Sequence, residues 1–142
     1  MNNDDLIARE AIRHTLASYH IAGDGNDADG YAAVFTEDGV VRAGGMEIAG
    51  REQLREWKAA RTKVLTAAFV RHNLTTCKID LTGPDSATGR AYFFVVTDVG
   101  PDHCGTYDDE YRKVGDEWLI ASRNVDMLWL SPDSRFRPPP AS

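Results

Sequence analysis

The run Phe69–Leu130, FVRHNLTTCKIDLTGPDSATGRAYFFVVTDVGPDHCGTYDDEYRKVGDEWLIASRNVDMLWL, decides the fold. It is interrupted at Gly83-Pro84-Asp85, Gly100-Pro101-Asp102 and Gly115-Asp116, each a turn signal. Between the interruptions lie Phe69–Leu81, Ala87–Val99, Cys104–Val114 and Glu117–Leu130, long segments rich in β-branched and aromatic residues. The pattern predicts a meander of four long strands.

Upstream of this run the texture is helical. Asp4 and Asp5 supply helix-start acids, and Ala8, Ile12, Leu16 and Tyr19 then fall on one face, predicting an amphipathic helix to about Ala22. Gly23-Asp24-Gly25-Asn26-Asp27 breaks it, and a short helix is expected over Asp29–Phe35. Val40 and Val41 read as a brief strand, Gly44-Gly45 as a turn and Glu47–Ala49 as the return. Arg51 to about Val64 has no Gly or Pro and is rich in helix formers, so it predicts a third helix. Helices followed by a meander give an α+β domain spanning residues 1–131, with the proline-rich 132–142 as an irregular tail.

Composition narrows the function. At 142 residues with 42% hydrophobic content, the chain carries material for one core. Acids outnumber bases 22 to 16 and the bases are scattered, which argues against a nucleic-acid partner. No apolar run approaches a membrane span, and Met-Asn-Asn-Asp-Asp lacks the features of a secretory signal. Cys77 and Cys104 have no CxxC spacing and read as reduced thiols, so cytoplasm is the expected compartment.

Motif tests remove whole classes of chemistry. The stretch from Asp24 begins like a calcium loop, but Ala28 and Phe35 occupy positions that need oxygen ligands. The glycines at 23, 25 and 30 follow no strand, so there is no dinucleotide fingerprint. His14 and His20 fall on different helix faces and no HExxH occurs, so neither a metal nor a cofactor is expected.

Four side chains remain as candidates. His72 shares a strand face with Val70 and Leu74, so an inward-facing imidazole would need a partner; a backbone-satisfied core histidine is the plainer reading. Asp24 would ordinarily be a turn residue and Tyr19 a core aromatic. Arg123, on an apolar strand face with Leu119, Ala121, Val125 and Met127, needs a carboxylate, a substrate oxygen or an exit to solvent.

At these residues the chain resembles the SnoaL-like branch of the nuclear transport factor 2-like superfamily, particularly its dehydratases and dehydrochlorinases, such as bile-acid 7α-dehydratase, scytalone dehydratase and hexachlorocyclohexane dehydrochlorinase. The landmarks are Tyr19-x4-Asp24-x2-Asp27, Val34-Phe35-Thr36-Glu37-Asp38-Gly39, Arg71-His72-Asn73, Gly105 through Tyr111, Trp118-Leu119-Ile120 and Arg123-Asn124. The resemblance implies a cone-shaped α+β barrel, its helices packed on a curved, mostly antiparallel mixed sheet. It also implies a catalytic Asp24–His72 pair, with Tyr19 and Arg123 completing the site. A further acid of the bile-acid enzymes would fall near Val95, so that acid is absent unless Asp98 substitutes.

The resemblance further implies a cofactor-independent lyase performing dehydratase-like β-elimination on a hydrophobic cyclic or polycyclic molecule. In that chemistry His72 is the general base, Tyr19 donates to the developing oxyanion, and Arg123 holds the departing group or a polar end of the substrate. A ketosteroid-isomerase-like isomerase and a polyketide-cyclase-like enzyme share the first step, and a noncatalytic ligand-binding or subunit-partner module is the rival from another class. Trp57, Phe69, Tyr92, Phe94 and Trp129 are the expected aromatics for the cavity. The expected assembly is a homo-oligomer, a trimer ahead of a dimer.

Overall fold

The computed structural model describes residues 1–137. Helix α1 (Asn3–Asp24) starts at a capping box in which Asn2 and Asp5 satisfy each other's backbone N–H groups. The chain continues as α2 (Ala28–Ala33), β1 (Phe35–Ala43), β2 (Met46–Ala49), α3 (Arg51–Val64), β3 (Val70–Gly83), β4 (Ser86–Thr97), β5 (Gly100–Val114) and β6 (Glu117–Leu130). The strands form one six-stranded sheet in the order β2-β1-β6-β5-β4-β3. All pairings are antiparallel except β1 with β6, so the α+β class and the mixed, mostly antiparallel sheet are as the sequence implied. The sheet stays open, with β2 and β3 as its edges.

Ile12 and Leu16 of α1, Leu54 of α3 and Phe35, Val41, Tyr111, Trp118 and Ile120 of the sheet form the main core. A second cluster of Ala91, Phe93, Val95 and Tyr107 lines the middle of the sheet's inner face. Gly105 makes that face possible. A Cβ there would come within 2.9 Å of the Phe93 ring and 2.2 Å of the Asp126 carbonyl oxygen, so only glycine lets Phe93 stack on Tyr107, with ring centroids 4.3 Å apart.

Two local readings are corrected. Gly100-Pro101-Asp102 is not a turn: the chain reverses at Asp98-Val99, and Gly100, at φ +90°, begins β5. Pro101 is tolerated there because it pairs with Val96 at a register shift, beyond the point where β6 first joins β5 at His103. On β6 the register also shifts between Tyr111 and Glu110, inserting Ala121 and changing the phase, so Trp118 and Ile120 share the core side with Arg123 and Val125.

Parity also corrects the aromatic lining. Phe93 and Val95 face inward, so Tyr92 and Phe94 stand on the outer face, 49% and 38% exposed, and Trp129, in the same row as Phe94 and Cys104, is 45% exposed. No helix among the described residues is long and apolar enough to cross a membrane.

Candidate active site

Across β3, β4 and β5 the register places His72, Val95 and His103 in one row, on the sheet face covered by α1 and α3. The last residue of α1, Asp24, meets this row from above. Its carboxylate accepts the His72 backbone N–H at 2.8 Å through one oxygen and lies 2.6 Å from the ring Nδ1 through the other. Because an ionised carboxylate only accepts, Nδ1 carries the proton and the Nε2 lone pair is left for chemistry. The pair is largely covered, with His72 21% and Asp24 11% exposed.

A cavity of about 200 Å³ is lined by Tyr19, His20, Tyr31, Trp57, Lys58, Arg61, His72, Phe93, His103, Tyr107 and Phe136, among others. A neighbouring pocket of about 260 Å³ shares His72, Lys58, Arg61 and Phe136 with it and includes Asp24 and Phe69. Tyr19 and His72 thus open to one cavity, and Asp24 backs His72 from the adjoining one. The Tyr19 hydroxyl is 3.5 Å from that of Tyr31, whose pKa burial pushes well above the ordinary phenol value.

Arg123 does not line either cavity, contrary to the sequence expectation of a shared pocket. It is fully buried, and its Nε and Nη2 each donate to Asp109 at 2.8 Å. Tyr111 donates to the same carboxylate at 2.6 Å. The guanidinium lies against both the Tyr19 and Tyr107 rings, 4.3 and 3.9 Å from their centroids, where the two rings meet edge to face, so it supports the cavity wall from behind. Asp98 is also elsewhere, in the β4–β5 turn, where it bonds Arg135 and the Ala68 N–H.

Sequence reasoning missed two histidines. His103 Nδ1 lies 2.5 Å from Asp102, making a second Asp–His pair; its ring centroid stands 6.2 Å from that of His72. Asp102 also accepts from Thr97, Ser134 and the Arg135 N–H. Burial holds the His103 pKa below the ordinary imidazole value, although Asp102 opposes it. The signal was the Asp102-His103 dipeptide, hidden because Asp102 was assigned to a turn and the strand expected only from Cys104. The segment after β6, anchored on Asp102, brings Phe136 to the cavity, 4.6 Å from His103 between ring centroids. The residues beyond 137 lie outside the described part of the tail.

His20 is the other. It stacks on His72 with centroids 5.1 Å apart, and neither ring nitrogen has a hydrogen-bond partner among the described residues. Burial first, then the nearby His72 and Arg123 charges, push its pKa from 6.5 to about 2. A folded pKa below the unfolded one means that the unfolded chain binds the extra proton. Full stability is therefore present above about pH 6.5 and falls as the pH drops toward 2, by roughly 1.4 kcal/mol per unit for one proton. His20→Phe is expected to remove this slope. Urea unfolding of both proteins from pH 7 to about pH 4 should show the variant gaining relative stability as acid is added; a constant difference would place the burial penalty elsewhere.

Among the described residues, no group of three or more His, Cys, Asp or Glu side chains is placed to hold a metal ion.

Helices closing over an open sheet, with an Asp–His pair in the cleft between them, make up the fold and the candidate site of this chain. The chain belongs to the SnoaL-like domain family, whose model matches residues 4–124. A protein of unknown function from Mycobacterium tuberculosis is 31% identical, with a TM-score of 0.81 over 95% of this chain and 80% of that one. A putative scytalone dehydratase from Novosphingobium aromaticivorans is 20% identical, with a TM-score of 0.83 over 92% and 91%. LinA is 19% identical, with a TM-score of 0.79 over 96% and 97%. No curated protein matches the chain.

Proposed function

We propose that this chain is a cofactor-independent lyase that eliminates water from a hydrophobic ring compound, with His72 as general base. The observation that carries this reading is the Asp24–His72 pair, held through both carboxylate oxygens beside an aromatic cavity. His72 Nε2 takes a proton α to a carbonyl, and the electron pair passes through the carbonyl oxygen, stabilised by the Tyr19 hydroxyl. The C–O bond at the β carbon then breaks, the imidazolium returns its proton to the departing oxygen, and water leaves. His103, with its Nδ1 proton held by Asp102, presents Nε2 as an acceptor that orients the substrate hydroxyl. Arg123 contributes by holding Tyr19 and Tyr107 in place.

Cyclic β-hydroxyketones in deuterium oxide test this proposal. Exchange at the α carbon together with enone formation is expected, and both should vanish in His72→Ala. Exchange without loss of water would instead favour an isomerase or cyclase, and neither event with any ketone would favour a ligand-binding module.

Cytoplasm remains the proposed compartment, and the assembly is proposed to be a homo-oligomer, a trimer ahead of a dimer. Phe94 and Trp129 support it, being exposed apolar side chains in one row across β4, β5 and β6. Sedimentation at micromolar concentration should give a multiple of the 15.7 kDa chain mass, and Trp129→Glu should shift it toward monomer. A monomeric parent protein would refute the assembly.

A further inference from the structure

Lys58 and Arg61 are three residues apart on α3, which puts them on one helix face, and both line the cavity and the adjoining pocket. Both are half-buried, yet neither makes a salt bridge or a side-chain hydrogen bond to another described residue. Arg42, Arg55, Arg90, Arg112, Arg123 and Arg135 all hold an acid. Burial lowers the pKa of Lys58 and of Arg61, and the Asp24 charge only partly opposes it at Lys58, as expected for cations drawn from water without a bonded counter-ion.

The nearby carboxylates are already engaged. Asp24 spends both oxygens on His72, and Asp102 is bonded by His103, Ser134, Thr97 and the Arg135 N–H. Arg61 is held over the rings of Trp57 and Phe136, 5.5 and 5.3 Å from their centroids, and Lys58 lies 5.9 Å from the Tyr31 centroid. Aromatic faces position both cations while leaving their N–H groups without an anionic acceptor. The chain as a whole carries a net charge of −6, so attraction for an anion must be local to such a place.

We infer that Lys58 and Arg61 form an anion subsite, and that the molecule bound in this cavity is a ring compound carrying a carboxylate. The aromatic walls take the ring, and the two cations take the acid group at the α3 side. This inference rests on the cavity being a small-molecule site, as proposed above, but not on any proton transfer by His72.

The test uses 2-naphthoate and its neutral analogue 2-naphthamide, titrated calorimetrically into the full-length protein. Naphthoate should bind at least about tenfold tighter than the amide, and added salt should narrow the gap. Lys58→Met/Arg61→Met should weaken naphthoate far more than the amide and bring the two affinities together, with an unchanged circular dichroism spectrum reporting that the variant is folded. Arg61→Lys should retain most of the preference, because it keeps the charge. His72→Ala should keep all of it, so failure of the lyase reading would leave this result untouched. Equal affinities in the parent protein, no binding of either probe up to about 1 mM, or a preference that survives the double substitution would each overturn the subsite.

Discussion

Replacing His72 with alanine is expected to remove nearly all turnover of the true substrate while leaving its binding much less affected, because a general base acts in the transition state. Asp24→Asn should lose roughly 10² to 10⁴-fold in rate, the range of general-base contributions. The geometry explains why so small a change matters. Asp24 accepts from two donors at once, the His72 backbone N–H at 2.8 Å and ring Nδ1 at 2.6 Å. An amide has one acceptor oxygen. If that oxygen serves the backbone, the amide NH₂ faces Nδ1 and drives the ring proton onto Nε2, removing the basic lone pair. If it serves the ring, the NH₂ opposes the backbone N–H and the strand start is strained. The first arrangement removes the base, and the second keeps its tautomer but weakens it by losing the carboxylate charge; both act only through His72, so Asp24→Asn combined with His72→Ala should be scarcely slower than His72→Ala alone. Steady-state kinetics of the four proteins decide it. Independent, multiplying losses, or a His72→Ala protein that chiefly unfolds, would make His72 a structural core histidine.

The fold was legible because its largest signals are local. Gly115-Asp116 and the break at residues 83–85 separate long strands rich in β-branched and aromatic residues, and the α1 stripe of Ile12 and Leu16 lands in the core as its period requires. Tyr19, Asp24 and His72 were legible through the resemblance, since their 48-residue Asp-to-His separation has no local meaning. The remainder of the site was hidden for identifiable reasons. His103 fell between a Gly-Pro-Asp stretch that composition assigns to a turn and a strand expected from Cys104, whereas the chain turns two residues earlier at Asp98-Val99. His20 and Phe136 reach the cavity through helix packing and a returning segment, neither of which a linear pattern encodes. Tyr92, Phe94 and Trp129 looked like lining because aromatic content does not reveal which strand face is inward; the stacking of Phe93 over Gly105 sets that parity.

Arg123 separates a structural role from a catalytic one most sharply, and the largest stability effects are expected at its ion pair. Arg123 is 0% and Asp109 4% exposed, and no other acid bonds the guanidinium among the described residues. Burial works against the Arg123 charge, but Asp109, together with Tyr19 and Tyr107, more than offsets it and leaves the pKa well above the ordinary value. Arg123→Ala would strand the Asp109 carboxylate with only the Tyr111 hydroxyl, and such a broken buried pair costs about 3–5 kcal/mol, a large share of the roughly 5–15 kcal/mol that holds a domain together. Asp109→Leu should cost a similar amount by stranding the cation. The double variant Arg123→Met/Asp109→Leu places no charge in the interior and should be more stable than either single variant, since apolar replacement of a buried pair is often neutral or better. Urea unfolding of the single and double variants gives the coupling directly. A substrate-binding Arg123 predicts the opposite pattern: small stability losses in each single variant, no rescue in the double, and a rise in KM for Arg123→Met with the fold intact. Because Tyr19 rests on the guanidinium at 4.3 Å, the paired-charge role also predicts that the stable double variant loses rate through a displaced Tyr19, and Tyr19→Phe in that background should then add little further loss.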